Sequence, residues 1–164
     1  MAETLSVTDM LPNKFEPKRD YRWVLAIEGI DSFLISDTKR PDVTIDKQEI
    51  PFINSYRNVS NGKIKWSSIS VKLHDPIAPS GAQQVMEWIR THYESVSGRA
   101  GYIDFYKRDI QIKMLDPVGT VIELWDIKGA FLTSAGFGQL SYGGGETPME
   151  ISLGIAFDNC VLQF

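Results

Sequence analysis

Side-chain character near the end of the sequence alternates with a period of two, and no other feature limits more strongly what the chain can become. Met149, Ile151, Leu153, Ile155 and Phe157 fall on one side of an extended strand, while Glu150, Ser152, Gly154 and Asp158 fall on or near the other. Residues 121–127 alternate in the same way, and a long glycine-rich connection links the two stretches. A strand with one apolar and one polar face buries the first against another layer and leaves the second for water or a partner. No nucleophile or base stands beside these strands in the sequence, so the pattern points to construction from sheets rather than to chemistry.

A chain of 164 residues fits one domain and buries roughly 70% of its unfolded surface, enough for a core without staples. Hydrophobic residues make up 43% and charged residues 23%, which excludes wholesale disorder. The single Cys160 has no partner for an internal disulfide. It reads as a small buried apolar residue, in a reducing compartment or in a particle assembled inside a cell. No apolar run is long enough to span a membrane, and residues 1–20 lack a stretch of signal-peptide type, so no membrane or export role is expected. A net charge of −4 argues against gripping nucleic-acid phosphates.

Residues 1–20 carry Pro12, Pro17 and several charges without sustained periodicity and read as an extended N-terminal arm; 21–164 reads as one β domain. Tyr21, Trp23, Leu25 and Ile27 alternate, and 32–36 resumes extended character after Gly29, which predicts a hairpin with its turn near 28–31. Residues 41–45 form a further strand. Residues 46–62, with Pro51 and the Asn61-Gly62 turn signal, read as a projecting loop. Over 63–74 the phase shifts between Trp66 and Ile69, which calls for a bulge at Ser67-Ser68. Ser80 to Gln83 fits a capping box, Val85, Met86, Ile89, Tyr93 and Val96 recur at helical spacing, and Gly98 supplies a C-cap: the one helix is expected over 80–97. Residues 101–105 look irregular. Strands 108–115 and 120–129 flank an Asp116-Pro117-Val118-Gly119 turn, and 130–145 forms the glycine-rich connection to the final strand. The expected core is Trp66, Ile69, Val71, Leu73, Val85, Ile89, Ile151, Leu153 and Ile155.

Catalytic and metal chemistry finds little support. His74, His92 and Cys160 are the soft or imidazole ligand candidates, without HExxH spacing. There is no GxSxG elbow, and the glycines at 136–138 and 143–145 precede no helix that would cradle a phosphate. Carboxylate pairs such as Glu146 with Glu150, or Glu123 with Asp126, read as dressing of the wet strand faces. The helix stripe with Trp88 and Tyr93 reads as packing on a sheet. Neither a cofactor nor a metal is called for.

Several segments, in order, resemble the tail tube protein of contractile-tailed bacteriophages of the T-even type. They are Ile50-Pro51-Phe52 to Val59, the Trp66-Ser-Ser-Ile-Ser-Val-Lys-Leu-His-Asp75 run, the helix with Met86-Glu87-Trp88, residues 127–133 leading through Gly136 to Leu140, and Glu150-Ile151-Ser152-Leu153. The likeness covers about residues 21–157 and rests on order and spacing; 1–20 and 159–164 do not line up clearly. It implies a mainly β fold: a β-sandwich or small barrel of antiparallel strands with one flanking helix, assembling as a hexameric ring. Rings then stack into a hollow tube beneath a contractile sheath, a conduit for DNA ejection in the virion tail, built in the host cytoplasm. The implied partners are further copies of the chain, the sheath protein, a baseplate tube-initiator, a tail terminator, a tape measure protein and passing DNA held without specific binding.

Two residue sets follow. Ile50, Pro51, Phe52 and Tyr56, apolar side chains in a projecting segment, are expected to make contacts between rings. Gln111, Lys113 and Ser152, polar strand residues, are expected to face the channel. A tube protein of a type VI secretion-like or tailocin machine fits almost as well. A monomeric ligand-binding β-barrel would share the alternation but needs an apolar interior pocket.

Overall fold

The computed structural model describes residues 15–164. Nine strands are described: β1 (Trp23–Ile27), β2 (Ile35–Thr38), β3 (Val43–Phe52), β4 (Ser55–Trp66), β5 (Ile69–His74), β6 (Arg108–Leu115), β7 (Val121–Gly136), β8 (Glu150–Ala156) and β9 (Asn159–Leu162). The main helix is α1 (Gly81–His92), followed by a single turn, α2 (Ile103–Tyr106). Seven strands form one sheet in the order β1-β6-β7-β8-β5-β2, with β9 also on β7, and every pairing is antiparallel.

The sixteen-residue β7 holds the sheet together. Its first part pairs with β6 on one side (Ile112↔Trp125) and β9 on the other (Ile127↔Cys160); its last part pairs with β8 (Leu132↔Ile155). At the changeover Gly129 has φ +67°, which only glycine adopts without strain, and the sheet turns. The inward faces of the two halves thereby meet. Leu25, Ile27, Ile110, Ile112 and Ile127 from one share a core with Ile69, Val71, Leu73, Ile151, Leu153 and Ile155 from the other. Helix α1 starts at Ser80, whose hydroxyl accepts from the Gln83 amide, and buries Val85 and Trp88 in that core. The Trp88 indole N–H donates to the Tyr106 carbonyl at 2.8 Å, and the Arg108 guanidinium lies 4.8 Å over its ring. The fold is the expected mainly β one with one principal helix, and seven of the nine expected core residues are buried. Trp66 and Ile89 are partly buried against the core.

Several expectations need correction. Residues 46–62 are no loop: they are most of a β-ribbon, β3 paired with β4 from Val43↔Trp66 to Phe52↔Ser55, turning at Ile53 with φ +53°. Asn61-Gly62 makes no turn but lies in a bulge opposite Asp46, where Gly62 has φ +73°. The helix stops at His92 rather than 97, because Tyr93 is extended and bridges to Ala100; Val96 is exposed. β1 and β2 do not form a hairpin with each other. β1 joins β6 and β2 joins β5, since each has an apolar face that only the wider sheet buries. β7 continues to Gly136 through residues expected in a loop, and the 101–105 stretch holds α2. The N-terminal arm reading falls largely outside the described residues; 15–20 are exposed and carry no strand.

Candidate assembly surface

The β3–β4 ribbon stands apart from the rest of the chain. It forms a two-stranded sheet of its own, and a ribbon of two strands is marginal in water without something packed on it. Yet Phe52 is 67% exposed, Tyr56 70%, Ile53 89%, Ile45 57% and Ile64 56%. The expected contact residues Ile50, Pro51, Phe52 and Tyr56 all lie at its far end, but the register divides them. Pro51 pairs with Tyr56 on one face, while Ile50 and Phe52 share the other with Val59. At the root the first face carries Val43, Ile45, Ile64 and Trp66, and Trp66 packs on Phe157 of the barrel at 5.9 Å between ring centroids.

A charged cluster fastens the root of this ribbon and the segment before β1 to the barrel. Glu123 lies on β7 at an inward-facing position and is 5% exposed, not on the wet face that its type suggests. Its carboxylate accepts from Lys18, from the Trp125 indole N–H, and from Arg40 at 3.5 Å. Burial alone raises the carboxyl's pKa. The hydrogen bonds from Lys18 and Trp125 and the charges of Lys18 and Arg40 outweigh it, leaving Glu123 below the usual carboxylate range. Lys39 pairs with Asp42 beside it, just before β3. The cluster borders a cavity of about 330 Å³ between the unpaired edges of β1 and β2, floored by Trp23, Ile112 and Met114.

The outward face of the curled sheet is polar. Gln111 and Lys113 are half-buried on β6 beside Asp126 and Leu124 of β7, and Ser152 is exposed on β8 between Lys72 of β5 and Gly136 of β7. All three expected channel residues thus share the face opposite the core. Lys128 pairs with Asp109 at 2.8 Å and Asp126 at 3.2 Å on that face. With Lys72 and Lys113 set against Glu150, charges of both signs are interspersed rather than uniformly acidic.

The chemical candidates disperse. His74 is exposed at the end of β5, paired across from Glu150. His92 stacks on Tyr106 at 4.4 Å between ring centroids. Cys160 is buried in β9, and burial, helped by the charge of Asp126, pushes its thiol up to about 11, so it stays protonated at neutral pH. Among the described residues no three His, Cys, Asp or Glu side chains converge to hold a metal, and no helix is long and apolar enough to cross a membrane. The barrel interior is filled by side chains. An apolar groove of about 310 Å³ lies outside it, between α1, Tyr106 and the last residues of β7.

Several solved structures share this architecture. A chain of the extended PVC sheath–tube complex, an extracellular contractile injection system, superposes with a TM-score of 0.70 at 15% identity, over 98% of this chain and 99% of the other. A chain of the anti-feeding prophage tube-terminating cap gives 0.73 at 17% identity, over 97% and 99%. Hcp1 from Flavobacterium johnsoniae gives 0.51 at 10% identity, over 87% and 95%. No protein-family model and no curated protein sequence matches the chain. At these identities the likeness establishes the fold.

Two features of the surface escape a reading of the sequence. Glu123 has a signal after all: it sits in phase with Trp125 and Ile127, the inward side of its strand, where a carboxylate requires partners. Those partners, Lys18 and Arg40, come from 105 and 83 residues away, and no local pattern names them. The ribbon is hidden because its turn uses Ile53-Asn54 rather than Asn-Gly.

Proposed function

We propose that the chain is the structural subunit of the inner tube of a contractile injection machine, polymerising as stacked hexameric rings, with no catalytic role. The observation that carries this reading is the likeness over nearly the full length of both chains to PVC and anti-feeding prophage chains. The exposed apolar ribbon supports it, since an isolated ribbon rich in Phe, Tyr and Ile is a surface in need of neighbours. Ile50, Pro51, Phe52 and Tyr56 then make contacts between rings. Gln111, Lys113 and Ser152 line the lumen, where mixed charge and small polar side chains let cargo slide without being gripped. The subunit's partners are the sheath, a baseplate initiator, a terminator, and a tape measure protein inside the lumen.

In a T-even-like phage the tube is part of the virion tail, assembled in the host cytoplasm, and passes DNA. A second reading, the tube of a type VI secretion-like or tailocin injection machine, is favoured by the likeness to chains of an extracellular contractile injection system. Capsid and terminase genes beside the coding gene would separate the two. The tube reading is tested by negative-stain imaging and mass measurement of the concentrated protein, alone and with its sheath and baseplate partners. Rings or tubes are expected. A chain that stays monomeric throughout while binding a small molecule inside the barrel would overturn it.

A further inference from the structure

The Asn61-Gly62 pair makes no turn, and its place in β4 exposes it to a reaction that its neighbours escape. Pairing between β3 and β4 passes from Ile45↔Ile64 to Lys47↔Ser60, so Asn61, Gly62 and Lys63 stand against Asp46 without cross-strand partners of their own. Asn61 and Gly62 are exposed. The Gly62 amide N–H donates not to β3 but to the Ser60 hydroxyl at 3.2 Å. A Cβ added at Gly62 would meet no atom within 4 Å, so the backbone there has room to rotate and no side chain to hinder it. A side-chain amide and the backbone nitrogen that follows it are thus both in water and both outside the ladder.

We infer that Asn61 is a site of spontaneous deamidation through a cyclic imide, a covalent modification that ages the ribbon and leaves the barrel as it was. The Gly62 nitrogen attacks Asn61 Cγ. The new Cγ–N bond closes a five-membered ring, the Cγ–Nδ2 bond breaks, and ammonia leaves with the proton that Gly62 N–H gives up. Water then opens the imide. Cleavage of the Cγ–N bond yields an aspartyl residue; cleavage at the main-chain carbonyl yields isoaspartate, whose backbone runs through Cβ and Cγ. The first product sets a new carboxylate across from Asp46, whose own charge Lys65 already offsets. The second lengthens the main chain of β4 by a methylene. Ring closure requires the backbone after the asparagine to swing toward its side chain, and this separates Asn61 from the other asparagines of the described residues. Asn58 is paired with Glu49 and followed by β-branched Val59. Asn54 is followed by Ser55, which is paired with Phe52. Asn159 and Cys160 are both held in the ladder to β7.

The assignment is tested by holding the folded protein at mildly alkaline pH, where the attacking nitrogen more readily loses its proton, and reading digested samples by peptide mass spectrometry over time. The peptide that contains Asn61 is expected to convert from amide to acid and to score for isoaspartate, while Asn54, Asn58 and Asn159 keep their amides. Isoelectric focusing should show the intact chain gaining negative charge. Asn61→Gln, whose closure needs a larger ring, is expected to abolish the charge gain at an unchanged melting midpoint. In the aged wild type, amides of β3 and β4 should exchange faster and those of the barrel at their former rates. Retention of the Asn61 amide by the folded protein, over a time in which the guanidinium-denatured chain loses it, overturns the assignment. Equal loss at Asn54 or Asn58 also overturns it, since exposure rather than the bulge would then decide the site.

Discussion

In β8, Ile151, Leu153 and Ile155 are buried, and every second residue between them faces out. In β3 and β4, Ile45, Ile50, Val59 and Ile64 are as apolar and as regularly spaced, yet remain between 43% and 57% exposed. Neighbours account for the contrast. β8 has β5 on one edge, β7 on the other and a second layer over its inward face, whereas the ribbon strands have each other and, beyond Trp66 at the root, little more. Apolar alternation specifies that a face will be covered, not by which molecule. The barrel answers from within the chain, and the ribbon is left to be answered from outside.

The sharpest way to break this contrast is to remove the ribbon's end. Deleting residues 52–56 should leave the melting profile of the barrel intact and abolish tube formation, scored by electron microscopy; tubes of normal length would erase the distinction. Next in size is Leu153→Ala in the barrel, expected to cost about 2–5 kcal/mol through lost burial and a residual cavity. In a domain of this size that lowers the melting midpoint by roughly 5–20 °C. The same substitution at exposed Ile45 should leave the midpoint of the isolated subunit nearly unchanged.

Glu123→Gln tests the join between the two regions. Losing the charge-assisted bonds to Lys18 and Arg40 should cost about 1–3 kcal/mol at neutral pH. Because the folded-state pKa of Glu123 is depressed, its contribution is fully present above the unfolded-state value of about 4.3 and is lost as pH falls through the folded one. The gap in melting midpoint between wild type and Glu123→Gln should therefore close in acid; a gap that persists there would show that the carboxylate's charge is not what stabilises the join. The smallest effect is expected from Gly62→Ala. No atom lies within 4 Å of the added methyl, so the cost is backbone strain at positive φ, about 1 kcal/mol. It should appear as faster hydrogen exchange in β3 and β4 and leave the barrel's amides as they were.

What the sequence disclosed tracks the same division. Strands β5 and β8 and the start of α1 were legible because Val71, Leu73, Ile151, Leu153 and the Ser80 cap are governed by local period and local hydrogen bonds. The ribbon was not, since Ile53 takes a left-handed turn that a β-branched residue rarely adopts, while the conventional Asn61-Gly62 signal was spent on a bulge. β9 was missed because four residues around Cys160 are too few to show a period; pairing with β7 makes them a strand. The expected contact residues were found as exposed apolar side chains, but their assignment to two faces depends on the register between β3 and β4, which is a property of two strands together.

The continuity of β7 has a mechanical consequence. It ties β6 and β9 at one end and β8 at the other, so a force that drives the two halves of the barrel apart runs along peptide bonds through Gly129 instead of across a ladder of hydrogen bonds. Neither half can slide past the other without tearing two ladders together. A pull on the C-terminus should therefore release only the four-residue β9, held by residues 125–128 of β7, while β7 itself still joins the two halves.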